Sequence, residues 1–388
     1  MAFRTRWTRL HSRRLISAPA LALAAALATV LPAAACASAP ASAGASSSAD
    51  ARPTPSPAIT AAQARQVFDR YVAAGAEAIK TGDTAPSLSL ETGPQRAVDS
   101  ASDAAFKALN MSASAIRQAL KGLVPPAYTT PTYYLPEQSG YPHFFVADLT
   151  RKLTSDYSAG AASPISVDGA EIHPFGPELM LFEQASAGAP WLLASISNLA
   201  VGATLPKLAT DSAGSIPTVP LADAALLAQP DDAGPLQAAV VDDGSASAAT
   251  KAVANGPLTT GLYEGAVDHA DELTPPHGDV YQWELEGTSY PEFALSTAAG
   301  GALVFYAMSL NATVAVPGYI NKANPINSGP PIQVPADIRA LLPKGQPAPL
   351  IQLQSQQTLS FASVDPATGS AKVQVIAMGG GLTSASAS

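Results

Sequence analysis

The sequence predicts an α+β fold, arranged as two tandem domains in which helices pack on a curved antiparallel sheet. Three observations lead to this prediction. A long amphipathic helix pattern opens the folded region, β-rich segments separated by Pro and Gly follow it, and the same order returns in the second half. A chain of 388 residues is long enough for two such domains. We place them at 59–215 and 216–380, with the boundary in the Pro-, Gly- and Ser-containing stretch 211–220.

The first domain begins with helices. Thr60 and Gln63 fit a capping box, and apolar residues at helical spacing predict a helix that ends at Gly82. Two shorter helices are predicted over 100–109 and 112–121. Pro125 and Pro126 end the helical pattern after the second one. The strands that follow are predicted over 133–135, 143–149, 179–184 and 191–197, and the last two are joined by a hairpin loop at 185–190.

The second domain repeats this order. Helices are predicted over 221–228, 247–254 and 262–273. Strands are predicted over 280–286, 291–297, 302–314, 350–362 and 371–377, with a hairpin turn at Gly300-Gly301, and residues 381–388 are predicted to form a disordered tail. The motif Tyr-Pro-His-Phe at 141–144 is echoed by Tyr-Pro-Glu-Phe at 290–293, and each opens an apolar strand. The echo supports an internal duplication and therefore a tandem repeat.

The N-terminus has the layout of a secretory signal peptide over residues 1–35. Five arginines without an acidic residue precede an Ala- and Leu-rich apolar run, which ends in small residues before Cys36. We expect cleavage between Ala35 and Cys36. Arg13 and Arg14 also fit a twin-arginine export signal, so both the general secretory route and the twin-arginine route stay open.

Cys36 is the single cysteine of the chain, and it lies where a bacterial lipoprotein carries its lipid anchor. Residues 33–36 resemble a lipobox, in which the thiol receives diacylglycerol and the mature protein carries fatty acyl chains such as palmitate. The alternative is a simple secreted protein in which Cys36 is a spare thiol. Lipidation predicts an extracytoplasmic protein of the cell envelope, held on the cell membrane through residues 36–58, whose Ala, Ser and Pro content indicates a flexible tether.

Charge and cysteine content exclude several classes of function. The formal net charge is −9, and removal of the five leader arginines leaves 16 basic residues against 30 acidic ones, a net charge of −14. A broad basic surface for nucleic acid is therefore not expected. One cysteine excludes an intramolecular disulfide framework and cysteine-rich metal sites. We expect no cofactor.

Catalytic motifs are absent from the sequence, which has no nucleophile elbow, P-loop or zinc-protease signature. We therefore assign no catalytic residue. The weak candidates for metal ligands are His269, Asp271, His277 and Asp279, which are more readily interpreted as a solvated helix end and turn. A non-catalytic binding or interaction module, with an envelope protein or a small apolar ligand as its partner, is the favoured interpretation. The alternative is a pocket enzyme in which His143, His173 or His269 acts as a general base.

Three short segments carry a resemblance to a known group of proteins. They are 59–64, 140–147 and 300–306, together with the tethered N-terminus. With these features the chain resembles actinobacterial membrane-anchored lipoproteins that carry a domain of unknown function. The resemblance implies no activity and no functional residues. For each half we expect an NTF2-like or cystatin-like arrangement around an apolar pocket, and such a fold would not determine the function.

Overall fold

In the computed structural model, helices come first and antiparallel strands after them, and this order occurs twice. The structure describes residues 56–123, 128–151, 165–167, 170–172, 176–212, 214–277, 280–315, 332, 334, 336–343, 352–367, 369 and 371–388. The predicted signal peptide and nearly all of the tether, including Ala35 and Cys36, lie outside these residues. Within the compact unit Pro53–Ser388 the class predicted from sequence, α+β, is confirmed.

The bounds of the elements are as follows. The helices are α1 (Ala61–Thr81), α2 (Ala85–Leu88), α3 (Gly93–Ala108), α4 (Ala113–Leu123), α5 (Ala233–Asp243), α6 (Thr260–His277) and α7 (Ala336–Leu341). The strands of the first half are β1 (Ser56–Pro57), β2 (Thr132–Tyr134), β3 (Pro136–Gln138), β4 (His143–Thr150), β5 (Ile165–Val167), β6 (Ala170–Ile172), β7 (Pro177–Gln184) and β8 (Leu192–Leu199). Those of the second half are β9 (Ile216–Pro217), β10 (Val280–Gly287), β11 (Phe293–Ser296), β12 (Ala302–Ala315), β13 (Gln352–Asp365) and β14 (Gln374–Ala387).

Helix α1 begins and ends where the sequence predicts. The Thr60 hydroxyl accepts from the Gln63 N–H, and the Gln63 side chain accepts from the Thr60 N–H, which completes the capping box. Gly82 ends the helix in the left-handed region at φ 76°, where its N–H donates to the carbonyl of Ala78. A side chain at Gly82 would also meet the Ala113 carbonyl oxygen of α4 at 2.6 Å.

One antiparallel sheet takes nine of the described strands, and it joins both halves of the chain. Its order is β10-β12-β13-β14-β8-β7-β4-β2, with β11 paired to β12. Each half thus supplies an antiparallel meander, and the two meanders meet where Ala377 and Met378 of β14 pair with Leu199 and Asn198 of β8. Because this pairing runs across the predicted domain boundary, two tandem domains are not confirmed.

Alternate residues of β4 face two different cores. Phe145 stacks on Phe182 with ring centroids 4.8 Å apart, in the core that also takes Phe68 of α1. Phe144 faces the opposite side, where its ring centroid is 4.4 Å from that of Phe293. Phe144 and Phe293 are the last residues of the two echoed Tyr-Pro-x-Phe motifs. The repeated motif therefore marks the place where the first and second halves share a core.

A further core lies under the helices of the second half. Buried apolar side chains of α5 and α6 pack there with Tyr306 and Phe361 of the sheet. The Tyr306 hydroxyl donates to Gln237 Oε1 at 2.8 Å, and Gln237 Nε2 donates to the Leu258 carbonyl at 2.8 Å. Buried polar atoms are thus paired along a short chain, which fixes α5 on the sheet.

Several boundaries differ from the sequence prediction. Residues 221–228 form turns instead of a helix, because the segment is short and enclosed by Pro220 and Pro230. The helix of this region is α5, and only a 3-10 turn, Ala248–Lys251, occupies the second predicted helix. Residues 381–387, for which a disordered tail is predicted, belong to β14, since their backbone pairs with β13 and their serines reach glutamine side chains across the strands.

Candidate functional site

A cavity of about 570 Å³ lies between the helices of the first half and the middle of the sheet. Helices α1, α2 and α3 form one side, and strands β8, β13 and β14 form the other. Its wall is mainly apolar and includes Val72, Val98, Ala101, Phe106, Leu359 and Met378. A cavity of this size and character is typical of small-molecule sites.

Glu91, a residue only 2% exposed, contributes a buried carboxyl to this wall. The segment between α2 and α3 holds it in place by pairing with β8. The Thr92 N–H donates to the Leu193 carbonyl at 2.8 Å, and the Leu193 N–H donates to the Leu90 carbonyl at 2.9 Å. Within the described part of the chain, Glu91 Oε2 has no hydrogen-bond partner. A buried oxygen without a hydrogen-bond partner is energetically unfavourable, so a bound molecule that donates a hydrogen bond to it would be stabilised.

Asp99 of α3 is the neighbour of Glu91 in the cavity wall. The two side chains are hydrogen-bonded, and Gln95 Nε2 donates to Asp99 Oδ2 at 2.9 Å. Burial raises the pKa of Glu91 to about 9, and the nearby Asp99 charge adds to the increase. Burial also raises the pKa of Asp99, against the hydrogen bonds that lower it. At neutral pH, Glu91 therefore holds a proton.

A second charged pair borders the cavity at Arg151. The Arg151 Nε donates to Glu178 Oε2, and Glu178 is completely buried. Burial raises the pKa of Glu178, and the Arg151 guanidinium opposes that increase. Asn198 of β8 also lines the cavity, and its Oδ1 has no partner among the described residues. The Arg151 guanidinium is thus bound to Glu178. Two acceptor oxygens of the described cavity wall, Glu91 Oε2 and Asn198 Oδ1, have no hydrogen-bond partner.

This arrangement is suited to binding a small molecule. The wall offers an apolar volume, a buried carboxyl pair, and acceptor oxygens without a hydrogen-bond partner. A ligand with a donor group and an apolar body would satisfy all three features.

A comparison with protein-family models finds one match, which covers residues 55–387 and is described as a domain of unknown function, DUF8094. The chain belongs to the DUF8094 family. No curated protein and no solved structure matches it. The DUF8094 region extends from just before β1 to the end of β14, so the cavity lies entirely inside it. The resemblance to proteins carrying a domain of unknown function is thereby confirmed at the level of the domain.

Most candidate residues from the sequence cannot be placed in the DUF8094 structure. His173 and Asp279 lie outside the described residues, as do the side chains of His269, Asp271 and His277 on α6. In the part that is described, no group of three metal-ligating side chains comes together. None of the helices described there is long and apolar enough to cross a bilayer.

His143 is the candidate general base that the structure does place. Its ring stacks on Tyr141 with centroids 4.0 Å apart, and burial lowers its pKa while a hydrogen bond to Gln184 opposes the decrease. His143 lines neither the 570 Å³ cavity nor a smaller cavity of about 220 Å³ beside Phe144 and Phe293. It is therefore poorly placed to act on a molecule bound in either cavity of this DUF8094 domain.

The acidic pair of the cavity escaped the sequence analysis. Gln95 and Asp99 are about one turn apart on α3, whereas Glu91 precedes the helix, in its connection to α2. Helical spacing therefore gave no signal that relates Glu91 to Asp99 in this DUF8094 sequence.

Proposed function

We propose that this chain is an exported lipoprotein whose folded region is a non-catalytic binding module for a small, mainly apolar ligand. In this proposal a lipid on Cys36 holds the protein on the outer face of the cytoplasmic membrane. The observation that supports binding is the apolar 570 Å³ cavity with its buried, incompletely paired polar oxygens. The leader pattern and the position of Cys36 support export and anchoring.

We also propose that the fold arose by duplication of one domain. We take the two halves as copies of one NTF2-like or cystatin-like plan, fused edge to edge through β8 and β14. Two features support it: each half runs from helices to an antiparallel meander, and each of the two Tyr-Pro-x-Phe motifs leads into an apolar strand, β4 in the first half and β11 in the second. In such a fold the pocket forms between helices and sheet, where the cavity lies.

Titration of the purified full chain with the neutral fluorescent dye Nile red tests the binding module. The dye reports entry into an apolar site by brighter, blue-shifted emission. Ala101 is buried and lines the cavity, so Ala101→Phe fills part of the volume and should weaken dye binding by about tenfold or more, equivalent to 1.4 kcal/mol. Ala104→Phe on the exposed side of the same helix is the matched control and should leave dye binding unchanged. Equal dye binding by both variants and the unaltered chain would contradict the proposal.

The anchor is tested by a single substitution. The unaltered protein should partition into the detergent phase of a cell extract and incorporate a labelled fatty acid. Cys36→Ser removes the thiol that accepts the lipid, so the exported variant should appear in the aqueous phase without label. If Cys36→Ser still fractionates with membranes, the lipid anchor is refuted, whereas the binding module is not affected.

A further inference from the structure

We propose that the ligand of the helix–sheet cavity is a primary amine carried on an apolar body, with its ammonium group bound at the Glu91–Asp99 carboxyl pair. This inference rests on the proposed binding function and specifies the chemical class of the ligand. It follows from three properties of the described cavity wall: its buried carboxyl pair without a bound cation, its acceptor atoms without a hydrogen-bond partner, and its apolar remainder.

No cationic side chain of the described structure is bound to the Glu91–Asp99 carboxyl pair. Arg151, which also lines the cavity, is held by Glu178. Lys107, an exposed residue, binds Asp103 of the cavity wall at 2.5 Å. The positive charge of Arg96 lowers the pKa of Glu91 from a distance. The Arg96 guanidinium itself is bound elsewhere, because its Nη1 donates to the Leu88 carbonyl at 2.6 Å. Among the residues that the structure describes, no cationic side chain hydrogen-bonds to Glu91 or Asp99, so the position beside this buried carboxyl pair is left for a cationic group of a ligand.

The acceptor oxygens without partners favour a ligand head group that has several hydrogen-bond donors. Glu91 Oε2 and Asn198 Oδ1 line one cavity, and neither has a partner in the described structure. An ammonium group carries three N–H donors and a positive charge, so it can donate to more than one acceptor oxygen and form charge-assisted hydrogen bonds with the carboxyl pair. A hydroxyl group brings one donor and no charge. A carboxylate brings only acceptors and would be repelled.

The rest of the wall determines the body of the ligand. Around the carboxyl pair the cavity is lined by aliphatic and aromatic side chains, including Val72, Val98 and Phe106 from the helices and Leu359 from the sheet. A flexible or compact hydrocarbon body would bury its surface there. The amine is thus recognised by charge at one end of the molecule and by apolar burial along the remainder.

A competition series on the purified full chain separates these contributions. Octylamine, 1-octanol and octanoic acid share one apolar body and differ in the head group, and each is titrated against bound Nile red. Octylamine should displace the dye at concentrations about 10- to 100-fold below those of 1-octanol, because hydrogen bonds to a charged group are stronger than neutral ones. Octanoic acid should be the weakest competitor.

Asp99→Asn supplies the decisive variant. It keeps the shape of the side chain and its acceptor oxygen, but it removes the charge, so octylamine should fall to within about threefold of 1-octanol while 1-octanol itself is unchanged. Asp69→Asn, at a side chain 61% exposed on α1, is the matched control and should retain the full preference.

The outcomes are distinguishable. If Nile red binds and 1-octanol competes as well as octylamine, the binding module stands and the amine inference is wrong. If octanoic acid is the tightest competitor, Arg151 anchors the ligand and the inference is again wrong. If neither the dye nor any of the three compounds binds, the proposed function itself fails.

Discussion

Replacing Glu91 by glutamine should stabilise the protein at neutral pH. Burial raises the pKa of the Glu91 carboxyl from 4.5 to about 9, so folding is linked to proton uptake at this residue. Below pH 4.5 the carboxyl is protonated in both the folded and the unfolded state and has no effect. Between pH 4.5 and about 9 only the unfolded chain loses the proton, so the stability contributed by this residue decreases as the pH rises.

The size of the effect follows from the pKa difference. One pKa unit corresponds to about 1.36 kcal/mol, so by about pH 7.5 the retained proton costs the folded state about 4 kcal/mol. Glu91 is only 2% exposed, which leaves little solvent to screen the charge. The amide introduced by Glu91→Gln would keep a donor for Asp99 and would not titrate. The variant should therefore be more stable by about this amount at pH 7.5 and equally stable near pH 4.5.

Urea denaturation followed by tryptophan fluorescence at several pH values measures the difference. The free energy of unfolding should fall more steeply with pH for the unaltered chain than for Glu91→Gln, and the two curves should converge toward pH 4.5. Glu264→Gln, at an exposed position on α6, is the control, and its curve of unfolding free energy against pH should run parallel to that of the unaltered chain. Parallel curves for Glu91→Gln would refute the reasoning, because they would mean that the carboxyl titrates alike in both states.

Two further substitutions test the packing around the site. Gly379→Ala should destabilise the protein by about 1–3 kcal/mol, because the added Cβ would overlap the Ile196 carbonyl oxygen where β14 meets β8. Thermal melting measures the loss. The control, Gly140→Ala, should show no comparable loss, because the space around Gly140 is open. Arg151→Met should cost about 3–5 kcal/mol by leaving Glu178 buried without its partner. A loss below about 1 kcal/mol in urea denaturation would mean that the pair contributes little.

Local patterns in the sequence predicted much of the fold. Thr60, Gln63 and Gly82 determine the ends of α1 through contacts within a few residues, so the first helix was accessible from sequence alone. The Gly300-Gly301 turn between β11 and β12 was predictable for the same reason. In contrast, the joining of the two meanders depends on strand pairs far apart in the chain, which no local signal reports.

The candidate site was harder to predict because its chemistry depends on burial. Glu91 belongs to a short connection between helices, and it is buried because that connection pairs with Leu193 of β8, far along the chain. On α3, Asp99 by itself resembles an ordinary solvated helix residue. Only the tertiary structure brings the two carboxyls together and removes them from water. Histidines, which sequence reasoning favoured for chemistry, contribute nothing to the described wall of the cavity.

Strand β14 comes last among the strands of the sheet in order of synthesis, yet it lies in the middle, between β13 and β8. Until residues 374–387 have emerged, the two meanders have no strand to join them and the cavity lacks part of its wall. A chain threaded unfolded through a membrane would therefore complete its sheet only after β14 had crossed. A premature stop before residue 374 would leave two open sheet edges, which are sites for aggregation and proteolysis.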